Sequence, residues 1–301
     1  NFSEATVGHG KDFIDQYRII RLIRSGTTCQ IFEAVDGNTK QKVALKVLTA
    51  QARHNKVERK YLQHEYDIAS KLDHENVIEV YGVRTTGNEP YLSLEFGQQL
   101  NLKQRLRADQ HLMAYRADTI IKTSALGLGH LHDHRWVHCD VKPDNFLVDD
   151  QGSAKLIDFA LCHPSRTGFL TKFGFGRPKE IAGTRSYMSP EQIRQQSLDI
   201  RSDIYGLGCM YFEIVAGKVP FTGTSPENLL YKHLNAKAPP ANTINKNVTQ
   251  EFSDLIEDML RKKKERRPDN LQKVLGHLSA IRIFRSKPLH PSEIVSNDDE
   301  A

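Results

Sequence analysis

The sequence predicts an α+β fold in two parts, a small sheet-rich lobe followed by a larger, mainly helical one. Three observations predict it. Up to residue 97, short apolar stretches alternate with turn signals, as strands do. From Leu100 onward, apolar residues recur at helical spacing. With 301 residues, 39% of them hydrophobic, the chain can bury one large core or two modest ones.

In chain order, residues 1–16 read as an N-terminal extension. Residues 17–23 and 30–35 are strand-like, and an Asp36-Gly37-Asn38 turn leads to an apolar strand over 43–48. A helix is predicted over 56–72, because Leu62, Tyr66, Ala69 and Leu72 fall on one face. Two more strands, over 77–83 and 91–96, flank a Thr86-Gly87-Asn88 turn. Five strands and one helix thus make a small domain over 17–97. The helical domain spans 98–283. Ile121, Ala125, Leu128 and Leu131 define one of its helices. Phe252, Leu255, Ile256 and Met259 define another, behind a Thr249 N-cap with Glu251 in the first turn. Residues 284–301 are polar, hold Pro288 and Pro291, and read as a loosely held tail or linker.

The net charge of +5 is mild and spread out, which suits an anionic ligand such as a nucleotide without demanding nucleic acid. No apolar stretch is long enough to span a bilayer, and no secretory signal opens the chain. Cys29, Cys139, Cys162 and Cys209 lack metal-ligand spacing and read as reduced thiols. A cytoplasmic location follows, either alone or as the cytosolic part of a longer membrane-tethered protein. The start at Asn1 rather than Met reads as a piece of something longer.

The chemistry concentrates in His138-Cys139-Asp140-Val141-Lys142-Pro143-Asp144-Asn145. A carboxylate, an ammonium two residues on and a carboxamide five residues on share one short loop. Phosphoryl transfer needs such parts: an acceptor for a hydroxyl proton, a cation for migrating charge and an oxygen ligand for a metal. Phe146-Leu147-Val148, a turn and Ala154-Lys155-Leu156-Ile157-Asp158 then read as a hairpin with a second carboxylate at its end. Alone, this would be an Asp-rich surface loop.

Other segments form a set with it. Val43-Ala44-Leu45-Lys46 puts a lysine in an apolar strand, and Glu65 lies on the next helix. Each alone is better read as a solvated residue. Arg24-Ser25-Gly26-Thr27-Thr28-Cys29 is a weak glycine loop with one glycine. Further on stand Ala182-Gly183-Thr184, Tyr187-Met188-Ser189-Pro190-Glu191 and Ser202-Asp203-Ile204-Tyr205-Gly206, then Arg266-Arg267-Pro268. The basic run 261–264 closes an amphipathic helix, where cations suit the helix dipole.

In this order and at these separations, the set resembles the catalytic domain of eukaryotic-like (Hanks-type) serine/threonine protein kinases, and residues 183–191 look most like bacterial members. The resemblance implies a two-lobed kinase fold that binds ATP with Mg2+ or Mn2+ and phosphorylates serine and threonine hydroxyls of proteins, including its own. The adenine would lie against Glu95 to Gly97, with Leu94 as gatekeeper and Ala44 and Leu147 sandwiching the ring. Gly26 and Ile31 would belong to the lid. Lys46, paired with Glu65, would bind phosphates, and Asn145 and Asp158 would hold the metal. Asp140 would take or orient the hydroxyl proton, Lys142 would stabilise charge on the γ-phosphoryl, and Thr184 would brace both. Asp203 would anchor the catalytic loop, and Glu191 would pair with Arg267.

Three departures from the family pattern carry expectations. Arg24 and Cys29 replace lid glycines, which should keep backbone N–H groups further from the phosphates, with Cys29 beside them. Cys139 stands where many relatives have arginine, so phosphates on Ser165, Thr167 or Thr171 would gain less, although Arg166, Lys172, Arg177 or Lys179 offers a partial substitute. Ala160 replaces a glycine, at a cost on the order of 1 kcal/mol if the site needs positive φ. The alternative reading is a nucleotide-binding pseudokinase acting as a scaffold. A small-molecule phosphotransferase fits the Ser189-Pro190-Glu191 segment less well.

Overall fold

The computed structural model describes residues 12–97, 100–165 and 184–293, without the side chain of Thr184. These residues divide into two compact units, one up to residue 73 together with 78–97, the other 74–77 together with the chain from residue 100.

The first unit contains β1 (Phe13–Ile14), β2 (Tyr17–Ser25), β3 (Cys29–Asp36), β4 (Lys42–Leu48), α1 (Lys56–Ala69), β5 (Val80–Arg84) and β6 (Tyr91–Glu95). The strands form one antiparallel sheet in the order β1-β2-β3-β4-β6-β5. Side chains alternate between its faces. Val43, Leu45 and Val47 join Ile14, Tyr17, Ala34 and Tyr91 in a cluster on one face. Leu48 on the other face packs with Ala52, Leu62 and Leu92, against which Leu94, Tyr66 and Cys29 also lie.

α1 starts where the Asn55 side chain accepts a hydrogen bond from the N–H of Val57, and it is capped by Ser70. Leu72, predicted as its last apolar contact, is buried beyond the helix end. The sheet also begins earlier than the predicted Tyr17. Phe13 and Ile14 pair back onto Arg18 and Tyr17, with Asp15 at φ 52° in the turn. Asp15 then accepts a hydrogen bond from the Tyr91 hydroxyl (2.9 Å) and pairs with Arg84.

The second unit contains β7 (Leu100–Asn101), α2 (Leu102–Ala108), α3 (Gln110–Tyr115), α4 (Ala117–Asp133), β8 (Trp136–Val137), β9 (Phe146–Val148), β10 (Ala154–Leu156), β11 (His163–Pro164), α5 (Pro190–Ile193), α6 (Ile200–Ala216), α7 (Pro226–Asn235), α8 (Ala241–Ile244), α9 (Gln250–Met259) and α10 (Leu271–Ala280). α6 is buried from Ser202 to Val215, which makes it the spine of the unit. The predicted Thr249 cap is present, accepting a hydrogen bond from Phe252 N–H. Among the described residues no helix is long and apolar enough to cross a membrane.

Residues 74–77 explain why the strand predicted to start at Val77 starts at Val80. They belong to the second unit, where Val77 bridges Leu156 in parallel. The Asn76 carbonyl accepts from Leu156 N–H (2.8 Å), and its side-chain amide donates to the Ala154 carbonyl (3.0 Å). α4 passes so close that a Cβ on Gly127 would lie 2.2 Å from the Asn76 carbonyl oxygen, so only glycine fits there.

Candidate active site

The register of the first unit sorts its predicted site residues onto one face of the sheet. Ile31 pairs with Lys46, Ala44 pairs with Leu94, and Ala44 and Lys46 stand two apart on β4, so all four share that face. α1 packs on the same side and brings Glu65 within 2.7 Å of the Lys46 ammonium. Their side chains are only 3% and 15% exposed, so each charge depends on the other. Glu95 ends β6 opposite Val43, its N–H donating to the Glu79 carbonyl (2.9 Å), and Gly97 follows at the edge of the described segment.

The glycine-poor tip closes as a hairpin. Gly26 N–H donates to the Cys29 carbonyl (2.9 Å), and a Cβ on Gly26 would sit 3.1 Å from that oxygen. Arg24 points into solvent opposite Ile31, and neither Arg24 nor Cys29 has positive φ. The Cys29 side chain differs from expectation: it packs against the cluster of Leu48, Leu62 and Leu92, because the sheet turns this position toward α1.

In the second unit the loop before β9 is built around Asp203, buried near the start of α6. Its two carboxylate oxygens accept the N–H groups of His138 (2.7 Å) and Cys139 (2.8 Å), and one also meets His132 Nε2 (2.9 Å). Burial alone would raise the Asp203 pKa, but the interactions with His132 and with His138 outweigh it, and the net shift is downward. The clamp holds Cys139 at φ 68°, a left-handed conformation that costs a side-chain-bearing residue about 1 kcal/mol. Gln192 secures the same turn from α5, donating to the Cys139 carbonyl at 2.7 Å.

Past that turn, Asp140, Lys142 and Asn145 converge. The Asp140 carboxylate accepts from the Lys142 ammonium (2.6 Å) and the Asn145 amide (3.0 Å), and the same amide donates to the Asp140 carbonyl (2.8 Å). Burial raises the Asp140 pKa, the Lys142 charge opposes the rise, and the negative charge of Asp158 adds to it. The Asn145 carbonyl accepts Ile157 N–H (3.0 Å), tying the loop to the end of the β9–β10 hairpin, where Asp158 lies at φ 68°. Leu147 is half-buried on β9, between its register partners Asn101 and Lys155. Phe159 is fully buried with its ring edge-on to His138, 5.9 Å between centroids.

The donor set suits a hard divalent ion. The Asn145 amide nitrogen is committed to Asp140, which leaves its carbonyl oxygen as the atom to offer beside the Asp158 carboxylate. Two protein oxygens, with water and substrate phosphates completing the shell, are how magnesium is usually held. Further along, the buried Glu191–Arg267 pair forms as expected, at 2.6 and 2.8 Å. Burial would raise the Glu191 pKa, but Arg267 overrides it and holds it low.

One expectation is overturned. Ala160 does not have positive φ; the left-handed residue is Asp158, two positions earlier, so the alanine carries no such strain. The side chain of Thr184, together with Arg166, Thr167, Thr171, Lys172, Arg177, Lys179, Ala182 and Gly183, lies outside the described residues. Sequence reading missed His132, His138 and Gln192 as parts of the loop's support. Only Gln192 had a local signal: Ser189-Pro190-Glu191-Gln192 is a capping box, with both hydrogen bonds formed.

A family model described as the protein kinase domain matches residues 17–278. Among curated proteins, the chain is 31% identical to serine/threonine-protein kinase PrkC of Bacillus subtilis, over 82% of this chain and 37% of the relative. It is 30% identical to serine/threonine-protein kinase PknB of Mycolicibacterium smegmatis, over 91% of this chain and 44% of the relative. Against serine/threonine-protein kinase PknL of Mycobacterium tuberculosis it is again 30% identical, over 80% and 59%. The chain therefore spans less than two thirds of the length of each of these relatives. With a match running from the start of β2 into α10, across both units and the Asp140 loop, the chain belongs to the protein kinase family.

Proposed function

We propose that this domain is an active serine/threonine protein kinase. The observation that carries the reading is the state of Asp140: a buried carboxylate with a raised pKa, gripped by Lys142 and Asn145 in a loop clamped by Asp203. Such a group can hold a substrate hydroxyl and take up its proton as the oxygen attacks phosphorus. The new bond joins the hydroxyl oxygen to the γ-phosphorus, the bond from that phosphorus to the bridging oxygen breaks, and ADP leaves with the electron pair.

Lys142, within 2.6 Å of Asp140, is placed to follow charge onto the transferring group. Lys46, oriented by Glu65, would hold the α- and β-phosphates. Gly26 would lie over the phosphates, and Glu95 to Gly97 would meet the adenine edge. Asn145 and Asp158 would hold the metal, taken as magnesium, which when bound neutralises phosphate charge. Thr184 is assigned to bracing Asp140 and Lys142. The partner is a protein hydroxyl rather than nucleic acid, and the domain is placed in the cytosol, where ATP is available and thiols stay reduced. The scaffold alternative draws on the glycine-poor tip and on Ala160, and the second of these falls away with Ala160 unstrained.

The test is transfer of labelled phosphate from ATP to a generic protein substrate with magnesium and, separately, manganese. Label recovered as phosphoserine and phosphothreonine supports the reading. Tight nucleotide binding with no transfer under either metal would replace it with the scaffold.

A further inference from the structure

A cavity of about 300 Å³ opens on the second unit, and no residue of the Asp140 loop lines it. Arg194, just past α5, lines it together with Lys262, Lys263 and Lys264, just past α9, and with Glu191 and Glu265. Two of these charges are already spent. Glu191 is taken by Arg267, and Lys264 by Asp199 at 2.9 Å. Among the described residues Arg194, Lys262 and Lys263 have no carboxylate within ion-pair distance, so three cations face the single exposed carboxylate of Glu265.

Lys262 is the telling member. Its ammonium sits 4.1 Å from the centre of the Phe221 ring, and its nearest oxygens are distant ones, the Tyr205 hydroxyl at 3.5 Å and the Lys232 carbonyl at 3.4 Å. Burial pushes its pKa down to about 8, opposed by Cys209 and assisted to a lesser degree by Arg267 and Arg194. A fold that keeps a partly desolvated ammonium beside other cations bears an electrostatic cost that an incoming anion would relieve.

We propose that this cavity binds a phosphoryl group carried on a phosphorylated serine or threonine of a protein partner. With Glu265 counted, the cations are in excess by two charges, so a carboxylate would leave one of them unmatched. A phosphoryl group brings nearly two charges and three acceptor oxygens, which suits an arginine fork flanked by two ammonium groups. The cavity has room for the phosphoryl group and the side chain that bears it. This site is separate from catalysis, and its occupant is recognised without turnover, so it stands whether or not the domain transfers phosphate.

The experiment uses the full chain with saturating ADP and magnesium, so that the nucleotide site is filled. A fluorescein-labelled Ala-Ala-phosphothreonine-Ala-Ala peptide is titrated by anisotropy, beside its threonine and glutamate counterparts, with inorganic phosphate as competitor. The expected result is saturable binding of the phosphopeptide at least about tenfold tighter than of either counterpart, displaced by phosphate. Arg194→Gln and Lys263→Gln should each weaken it about fivefold or more while leaving thermal melting and generic-substrate turnover unchanged. Lys262→Met, which keeps the contact with Phe221, should do the same. Phosphate binding that the variants abolish, without phosphopeptide binding, would overturn the protein source of the ligand. No saturable binding, or binding that all three variants leave intact, would overturn the site itself.

Discussion

The hairpin tip between β2 and β3 and the loop from His138 to Asn145 treat the family pattern in opposite ways. The tip departs from it, with Arg24 and Cys29 in place of glycines. The loop keeps Asp140, Lys142 and Asn145, and its one departure is Cys139 in place of arginine. At the tip, Arg24 is solvent-exposed in ordinary β conformation, and the turn rests on the Gly26–Cys29 backbone bond and on Thr49 N–H donating to the Thr28 carbonyl (2.9 Å). In the loop, by contrast, each polar atom holds another, and the lattice ends in a buried aspartate. Substitution costs little where a side chain can leave for water. It costs much where removal strands a buried partner.

The sharpest break is Asp140→Asn. It should lower turnover by on the order of a thousandfold or more, roughly 4 kcal/mol in the barrier, while ATP affinity stays nearly unchanged. Phosphate transfer measured alongside a nucleotide titration checks both halves, and transfer at the wild-type rate would remove Asp140 from the chemistry. Next comes Asp203→Asn, which turns one of the two accepting oxygens into an NH2 donor that faces His132 or a loop N–H. A loss of roughly 3 kcal/mol in urea unfolding is expected; unchanged stability would show that the loop is held by something else.

The pH dependence separates the loop's two carboxylates by sign. Asp203 has a lowered folded-state pKa, so its contribution is present above the unfolded value and lost as pH falls through the folded one. Asp140 has a raised pKa, so its contribution favours the fold at low pH and is lost as pH rises through the folded value. The acid limb of turnover should therefore lie above the ordinary aspartate range. Lys142→Met should move that limb higher still, because the ammonium opposes the rise. A limb that stays put in a pH–rate profile of that variant would separate Lys142 from Asp140.

Two smaller effects concern the departures. Alanine at Ser165, Thr167 and Thr171 together should change turnover on an external protein by less than about tenfold, or 1.4 kcal/mol, because Cys139 cannot pair with a phosphate; a larger loss would show that another cation does. At the tip, Arg24→Gly should tighten ATP about threefold, near 0.7 kcal/mol. An unchanged or weaker dissociation constant would mean that the arginine already serves the nucleotide.

What was legible in the sequence follows the same division. The alternation of residues 43–48, the spacing of Asp140, Lys142 and Asn145, and the Asp203 anchor were readable because each shows up as a local period or a known motif. Phe13 and Ile14 were not, since two residues carry no period and their pairing is fixed only once the turn at Asp15 forms. Val77 looked like the start of a strand because apolar residues look alike whichever unit they join. His132 meets Asp203 across 71 residues of chain and Gln192 meets Cys139 across 53, and although the capping box marks Gln192 at a helix start, neither partner is written in the local sequence. The misplaced strain at Ala160 had a similar origin, because residue type alone does not say which position of a short turn takes positive φ.

The treatment of the thiols has a practical consequence for spectroscopy. Cys139, Cys162 and Cys209 are buried, and burial drives the pKa of Cys139 and Cys209 upward, so little thiolate forms near neutral pH. Cys29 is only half-buried and none of the four is bridged. A maleimide dye or nitroxide offered in limited amount should therefore react first at the edge of the hairpin tip, without any cysteine being engineered away. The native chain then carries a single optical or paramagnetic reporter beside the lid that nucleotide occupancy is expected to move.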